Sequence, residues 1–193
     1  AKLYTIDPGN VDLENGAIAS NNVESYIFAL IDSIGMATMS FVAQNYGAKN
    51  GKNIKKVFFY GQIWAFVYYL IAFIVMLVFG RNLLRLFVES DSALDSGMTR
   101  LTLMSSTYFL NGLMNVSAGT LRGYKKSTFP MVNTLLTCTV FRIIYLLTLF
   151  EYVPFFHTLA WLYALFPITW GLSALANLIA VGVTMPKTIR RLE

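Results

Sequence analysis

Two carboxylates set within apolar sequence are the groups through which this chain could do chemistry. Glu24 and Asp32 lie in the stretch 17–46, with Asn21 and Ser25 beside them. At about 100° of rotation per helical residue, these four side chains fall within an arc of roughly 100° and share one face. At about 1.5 Å rise per residue, the two acids stand about 12 Å apart along the axis. A carboxylate in apolar surroundings is costly unless it is paired, hydrated or protonated, so it must face a bundle interior or a cavity. Such a group is suited to binding and releasing a proton. Asn111 and Asn115, one turn apart in a later apolar stretch, add amide oxygens for coordinating a cation or binding a substrate, and Tyr108 stands about one turn outward. Interhelical hydrogen bonding is the structural alternative for these amides. Arg142 is the one basic residue deep in an apolar stretch, and a permanent ion pair with it is the structural alternative for the acids. In the last stretch Thr169, Ser173 and Asn177 repeat every four residues as a polar stripe.

The elements that must position these groups are five apolar stretches, 17–46, 57–79, 98–121, 129–150 and 159–184. Each is about 20 residues or more, the length a helix needs to cross about 30 Å of hydrocarbon. Helices satisfy their own backbone groups where no water is available. With 56% hydrophobic and 13% charged residues, the chain has too little polar sequence to cover a soluble core of its size. The expected fold is therefore all-α, a polytopic membrane helix bundle. It divides into a polar arm over 1–16, with a Pro8–Gly9 turn signal, and a membrane domain over 17–193.

The net charge of +5 follows the loops rather than any nucleic-acid surface. Lys49, Lys52, Lys55 and Lys56 fill the first loop; Arg122, Lys125 and Lys126 fill the third; Lys187, Arg190 and Arg191 fill the tail. The other connections carry Glu89, Asp91, Asp95 and Glu151, with Asp7, Asp12 and Glu14 in the arm, against Lys2, Arg81, Arg85 and Arg100. Basic residues beside spans stay on the cytoplasmic side, which places the first and third loops and the C-terminus there. An acidic arm held outside ahead of the first span predicts a further helix upstream.

Other features carry structure rather than chemistry. Cys138 has no partner for a disulfide or a thiolate metal site, and His157 is the only histidine. Phosphate loops, Ser-His-Asp spacings and zinc-type His pairs are absent. No metal site, cofactor or enzymatic activity is expected. The aromatics of the second stretch, among them Tyr60, Trp64 and Tyr68, are expected to fill space against lipid or neighbouring helices. Ser25, Ala29, Ser33 and Ala37 form a small-residue stripe expected to allow close helix contact. Leu83 to Phe87 are expected to form a short amphipathic helix at the outer surface. Pro167 falls eight residues into the last stretch and is expected to kink or loosen it.

Three segments carry a resemblance. MATMSFVAQNYGAKNGKNIKKV, NVSAGTLRGYKKSTFPM and LYALFPITW are together similar to the multidrug and toxic compound extrusion family. Its Gln-x-x-Gly-Ala helix end appears here as Gln44, Gly47 and Ala48. Its Ala-Gly-x-Leu-Arg-Gly end appears as Ala118, Gly119, Leu121, Arg122 and Gly123, followed by Pro130 opening the next helix. The resemblance implies that the five helices are the eighth to twelfth of a twelve-helix transporter built from two six-helix lobes. It implies exchange of cationic or amphiphilic organic compounds for inward-moving protons or sodium ions, in the bacterial inner membrane. The partners so implied are the lipid bilayer, small-molecule organic cations and the missing N-terminal lobe of the same chain. Several family members use a Glu on the seventh helix and an Asp on the tenth. The counterpart of the tenth shows only Asn111 and Asn115, so Asp32 first and Glu24 second stand in as ion-coupling candidates. Asn111, Asn115, Tyr108, Arg142 and Asn177 are the expected cavity-lining residues.

Three rivals share this sequence reading. A lipid-linked oligosaccharide flippase of the same architecture calls for several cationic residues in the cavity, and only Arg142 is deep. A membrane-embedded enzyme with Glu24 and Asp32 as an acid pair is opposed by their axial offset of about 12 Å. A non-catalytic membrane subunit leaves the buried acids without a purpose.

Overall fold

In the computed structural model, which describes residue 7 and residues 9–192, the first helix is set by its cap. The Asn10 side chain accepts a hydrogen bond from the Leu13 amide at 3.0 Å, and Asp12 and Glu14 occupy the first turn of α1 (Val11–Gly47). Acids there complement the free N–H groups of a helix start. The helix thus begins at Val11, inside the stretch expected to be an arm, because capping extends it beyond what hydropathy marks. Residues 1–6 and Pro8, with Lys2 and half of the Pro8–Gly9 signal among them, lie outside the described residues, as does residue 193.

Asn50 caps α2 (Gly51–Leu84) in the same way, accepting from the Asn53 amide at 3.2 Å. Leu83 and Leu84 belong to the end of this helix, and Arg85 to Phe87 form a turn, so the expected separate amphipathic helix is absent. The reason is packing: Leu84 is fully buried and meets Gly97 of the following helix, which draws α2 onward.

The third stretch is two helices, α3 (Asp91–Ser105) and α4 (Tyr108–Gly123), rather than one. Three successive hydroxyls explain the joint. Ser105 Oγ donates to the Thr102 carbonyl, Ser106 Oγ to Leu103 at 2.7 Å and Thr107 Oγ1 to Met104 at 2.8 Å. Side-chain hydroxyls compete there with backbone amides for the same acceptors.

The fourth stretch is interrupted as well. It comprises α5 (Thr128–Thr134), a π-helical segment (Leu135–Val140), α6 (Phe141–Leu147) and α7 (Leu149–Tyr152). A 3-10 turn (Pro154–Phe156) leads to α8 (Leu159–Leu192), which stays helical through both Pro167 and Pro186. Pro167, expected to kink or loosen this helix, does not end it, and the flanking Leu165, Thr169 and Trp170 are all buried against neighbours. The helices α1, α2 and α8, and the helical run Thr128–Tyr152, are long and apolar enough to cross a membrane. Together these elements form an all-α polytopic membrane bundle.

The bundle is assembled around α1, which packs on α2, α3 and α4, while α4 packs on α8. Its buried face runs through Gly16, Val23, Ile27, Ile31, Gly35, Thr38 and Val42. Backbones nearly touch along it: a Cβ placed on Gly119 would lie 2.3 Å from the Gly35 carbonyl oxygen, and one on Gly16 would lie 2.3 Å from that of Ala93. The expected contact stripe of Ser25, Ala29, Ser33 and Ala37 is exposed instead. Glycine admits a closer approach than alanine or serine, so α1 buries its glycine face and turns the other outward.

One end of the bundle is basic. There the core of Val42, Ile54, Leu121, Tyr124, Val181 and Met185 closes beneath the first and third loops. Both loops end their helices alike. Lys49 and Lys125 take left-handed backbone angles (φ 54° and 65°) while the next amide reaches back to the helix, Asn50 to Asn45 at 2.9 Å and Lys126 to Leu121 at 2.8 Å. Glycine usually occupies that position, since any Cβ there is strained.

Gly119→Val is expected to force α1 and α4 apart and lower stability by about 1–3 kcal/mol. Lys49→Gly is expected to raise it by about 1 kcal/mol by relieving the left-handed strain. Thermal unfolding in detergent reads both, and a neutral Gly119→Val would contradict the close contact.

Candidate functional site

Eight residues advance a helix by about 80° beyond two full turns, and that offset decides the fate of the two acids. Glu24 lies at the edge of the buried face of α1 and is only 1% exposed; Asp32 has rotated out of it and is exposed.

Asp32 opens onto a groove of about 320 Å³ between α1 and α4, lined also by Gly35, Met36, Met39, Asn115, Gly119 and Arg122. The glycine contact builds it: with Gly35 and Gly119 at backbone distance, the side chains flanking them converge on one hollow. Asn115 Nδ2 donates to Asn111 Oδ1 at 2.9 Å, so the two predicted amides form one unit, with Asn111 buried behind Asn115. Arg122 stands at the basic end of the groove, and no cation lies within ion-pair distance of Asp32 among the described residues. The groove thus holds a carboxyl group, an amide and a guanidinium within reach of solvent.

Glu24 has a different environment. Ser20 Oγ donates to its Oε1 at 2.9 Å and Arg100 Nη2 to its Oε2 at 3.1 Å, while Arg100 Nη1 donates to the Ala17 carbonyl. The Tyr163 ring lies under the Arg100 guanidinium at 5.7 Å. Glu24 is therefore matched by Arg100, not by Arg142, and the pair ties α1 to α3. Arg100 reads in the sequence as an outer topology residue. Its spacing carried the missed signal, because Leu94, Gly97, Leu101 and Met104 of α3 are all buried and Arg100 lies on that stripe.

The remaining predicted residues go to three other places. Tyr108 is fully buried beside this pair, packed edge-on against Phe28 at 5.1 Å, and its hydroxyl has no hydrogen-bond partner among the described residues. Asn177 is also fully buried. It accepts from Asn133 Nδ2 at 3.0 Å, and the same Asn133 amide donates to the Ser173 carbonyl and hydroxyl, joining α5 to α8. Arg142 donates through Nε and Nη2 to Thr169 Oγ1, at 3.0 and 2.7 Å. The structure thus brings Asp32, Asn111 and Asn115 together, and sets Glu24 with Tyr108, Arg142 and Asn177 each apart from them.

The family model described as MatE matches residues 15–148, well over half of the chain. No curated protein matches it. The chain belongs to the MatE family, whose members are membrane transporters. The match takes in both acids, both asparagines of α4, Arg100 and Arg142, and ends before α8.

Removing one member of a buried ion pair leaves the other charge unmatched. Arg100→Gln is therefore expected to destabilise the protein by about 3–5 kcal/mol. Combining it with Glu24→Gln is expected to recover much of that loss. Chemical unfolding of the single and double variants gives the coupling directly, and additive effects would show that the pair contributes nothing.

Proposed function

We propose that this MatE-family chain is part of a proton- or sodium-coupled exporter of cationic or amphiphilic organic compounds. The observation that carries the reading is the Asp32 carboxyl group, open to a groove and free of an ion-pair partner among the described residues, beside Asn115 and Arg122. A carboxylate there attracts an organic cation. A proton or sodium ion that neutralises it removes that attraction, so both ligands compete for one group. Competition at one site, with differing access from the two sides, is the logic of exchange. In this reading the chain rocks against a second lobe, and ion binding favours one orientation through its differential affinity.

The groove's other residues have roles in the same scheme. Asn111 holds Asn115 in position, and the Asn115 amide offers a neutral polar contact beside the charge. Arg122 draws the empty, ionised Asp32 toward itself and is displaced in effect when a cation arrives. The Glu24 side chain is second to Asp32, because taking a proton there first requires losing Arg100. The basic end is assigned to the cytoplasm by its lysines and arginines, and the membrane to the bacterial inner membrane.

In proteoliposomes of the complete transporter, Asp32→Asn is expected to abolish ion-driven efflux of a lipophilic cation such as tetraphenylphosphonium while leaving the protein monodisperse. Glu24→Gln is expected to reduce efflux through loss of stability. Efflux and coupling that survive both substitutions would reject the carboxylate assignment.

A further inference from the structure

A second cavity, of about 510 Å³, lies between α1, α6 and α8 toward the acidic end of the bundle. Leu146, Leu162, Leu165 and Phe166 give it apolar walls, and Arg100 and Arg142 both reach it. Its contacts with α1 end at Asn21, about 16 Å along the helix from Asp32, so it is separate from the groove described above. A volume of this size suits a small ligand.

The two guanidinium groups are not equivalent. Arg100 is matched by Glu24. Arg142 has no carboxylate within ion-pair distance among the described residues. What it has is the Thr169 hydroxyl, which accepts two of its N–H groups, and the face of the Phe166 ring at 4.4 Å. A guanidinium carries five N–H donors, so three remain. A full positive charge held within an apolar span is costly without a counter-charge, and a hydroxyl and a ring supply only part of it. Glu14 also lines the cavity, but it is exposed in the first turn of α1, where water screens its charge.

We propose that this cavity binds an amphiphile with an anionic head, a phosphate or a carboxylate, which Arg142 engages while the apolar walls hold the chain. Planar guanidinium matches both head groups through paired N–H bonds. Arg100 also lines the cavity, but Glu24 balances its charge, so Arg142 is the group that engages the head. The site discriminates by charge against the organic cations assigned to the Asp32 groove, so the two sites test independently.

Titration calorimetry on the purified protein in neutral maltoside micelles tests the proposal with dodecyl phosphate, laurate, dodecyltrimethylammonium and inorganic phosphate. One of the two anionic amphiphiles is expected to bind at least about tenfold tighter than the cationic one of equal chain length. The tighter of the two identifies the head group. Inorganic phosphate is expected to bind at least about tenfold more weakly than the preferred amphiphile, because it leaves the apolar walls unused. Arg142→Gln is expected to weaken the preferred amphiphile by about tenfold or more, and Arg85→Gln at the exposed acidic end to leave it unchanged. Leu162→Trp fills the cavity with the guanidinium retained and is expected to block binding, which keeps the test decisive if Arg142→Gln fails to fold. Equal affinity for anionic and cationic amphiphiles, or full affinity in Arg142→Gln or Leu162→Trp, would overturn the proposal.

Discussion

The arrangement depends on one constraint: α1 must lie at backbone distance from both α3 and α4. Gly16 against Ala93 and Gly97, and Gly35 against Asn115 and Gly119, leave no room for a side chain at either crossing. In a bundle surrounded by lipid there is little hydrophobic gain from pressing helices together, so close dispersion contact and buried hydrogen bonds must hold them. The first crossing brings Ala17 and Glu24 to Arg100; the second brings Asp32 alongside Asn115 and Arg122. Both acids owe their surroundings to where the glycines fall.

Most interior polar groups are consumed in joining helices. Gln62 donates to Ser117 across α2 and α4, Tyr124 bonds Thr184 across the basic end, and Asn133 ties α5 to Ser173 and Asn177 of α8. Two ionisable side chains keep capacity beyond this pattern, although Arg142 also joins α6 to α8 through Thr169. Asp32 and Arg142 carry opposite charge, face separate hollows and lie toward opposite ends of the bundle. Among the described residues Asp32 makes no ion pair, and Arg142 keeps three N–H donors beyond the two it gives Thr169.

The fold was legible where it rests on length and hydropathy. Long apolar stretches separated by charged loops mark the spans, and loop charge distinguishes the two ends of the bundle. Hydroxyl side chains were the blind spot: Ser105, Ser106 and Thr107 barely change hydropathy, yet together they divide α3 from α4. The site was legible in part. Glu24 and Asp32 announced themselves as charges in apolar sequence, but helical rotation alone, without the position of the packing face, could not tell the buried acid from the open one. Arg100 escaped because a basic residue near a loop satisfies a topology rule before its place on a buried stripe is weighed. Asn177 and Tyr108 were read as lining because polarity in a span marks function and interhelical bonding equally well.

The π-helical segment at Leu135–Val140 has a consequence for how this protein tolerates change. Its wider turn takes in an extra residue, so every residue beyond it has a different azimuth from the one an uninterrupted α-helix would give. Arg142 follows two residues later and reaches Thr169 from that azimuth. Winding these same residues as an ordinary α-helix would swing Arg142 by roughly 100°, away from Thr169. Deleting one residue between 135 and 140 while restoring ordinary winding would instead leave Arg142 near its present azimuth, because the π turn holds one residue more than an α turn. What this stretch must keep is the match between its residue count and its winding.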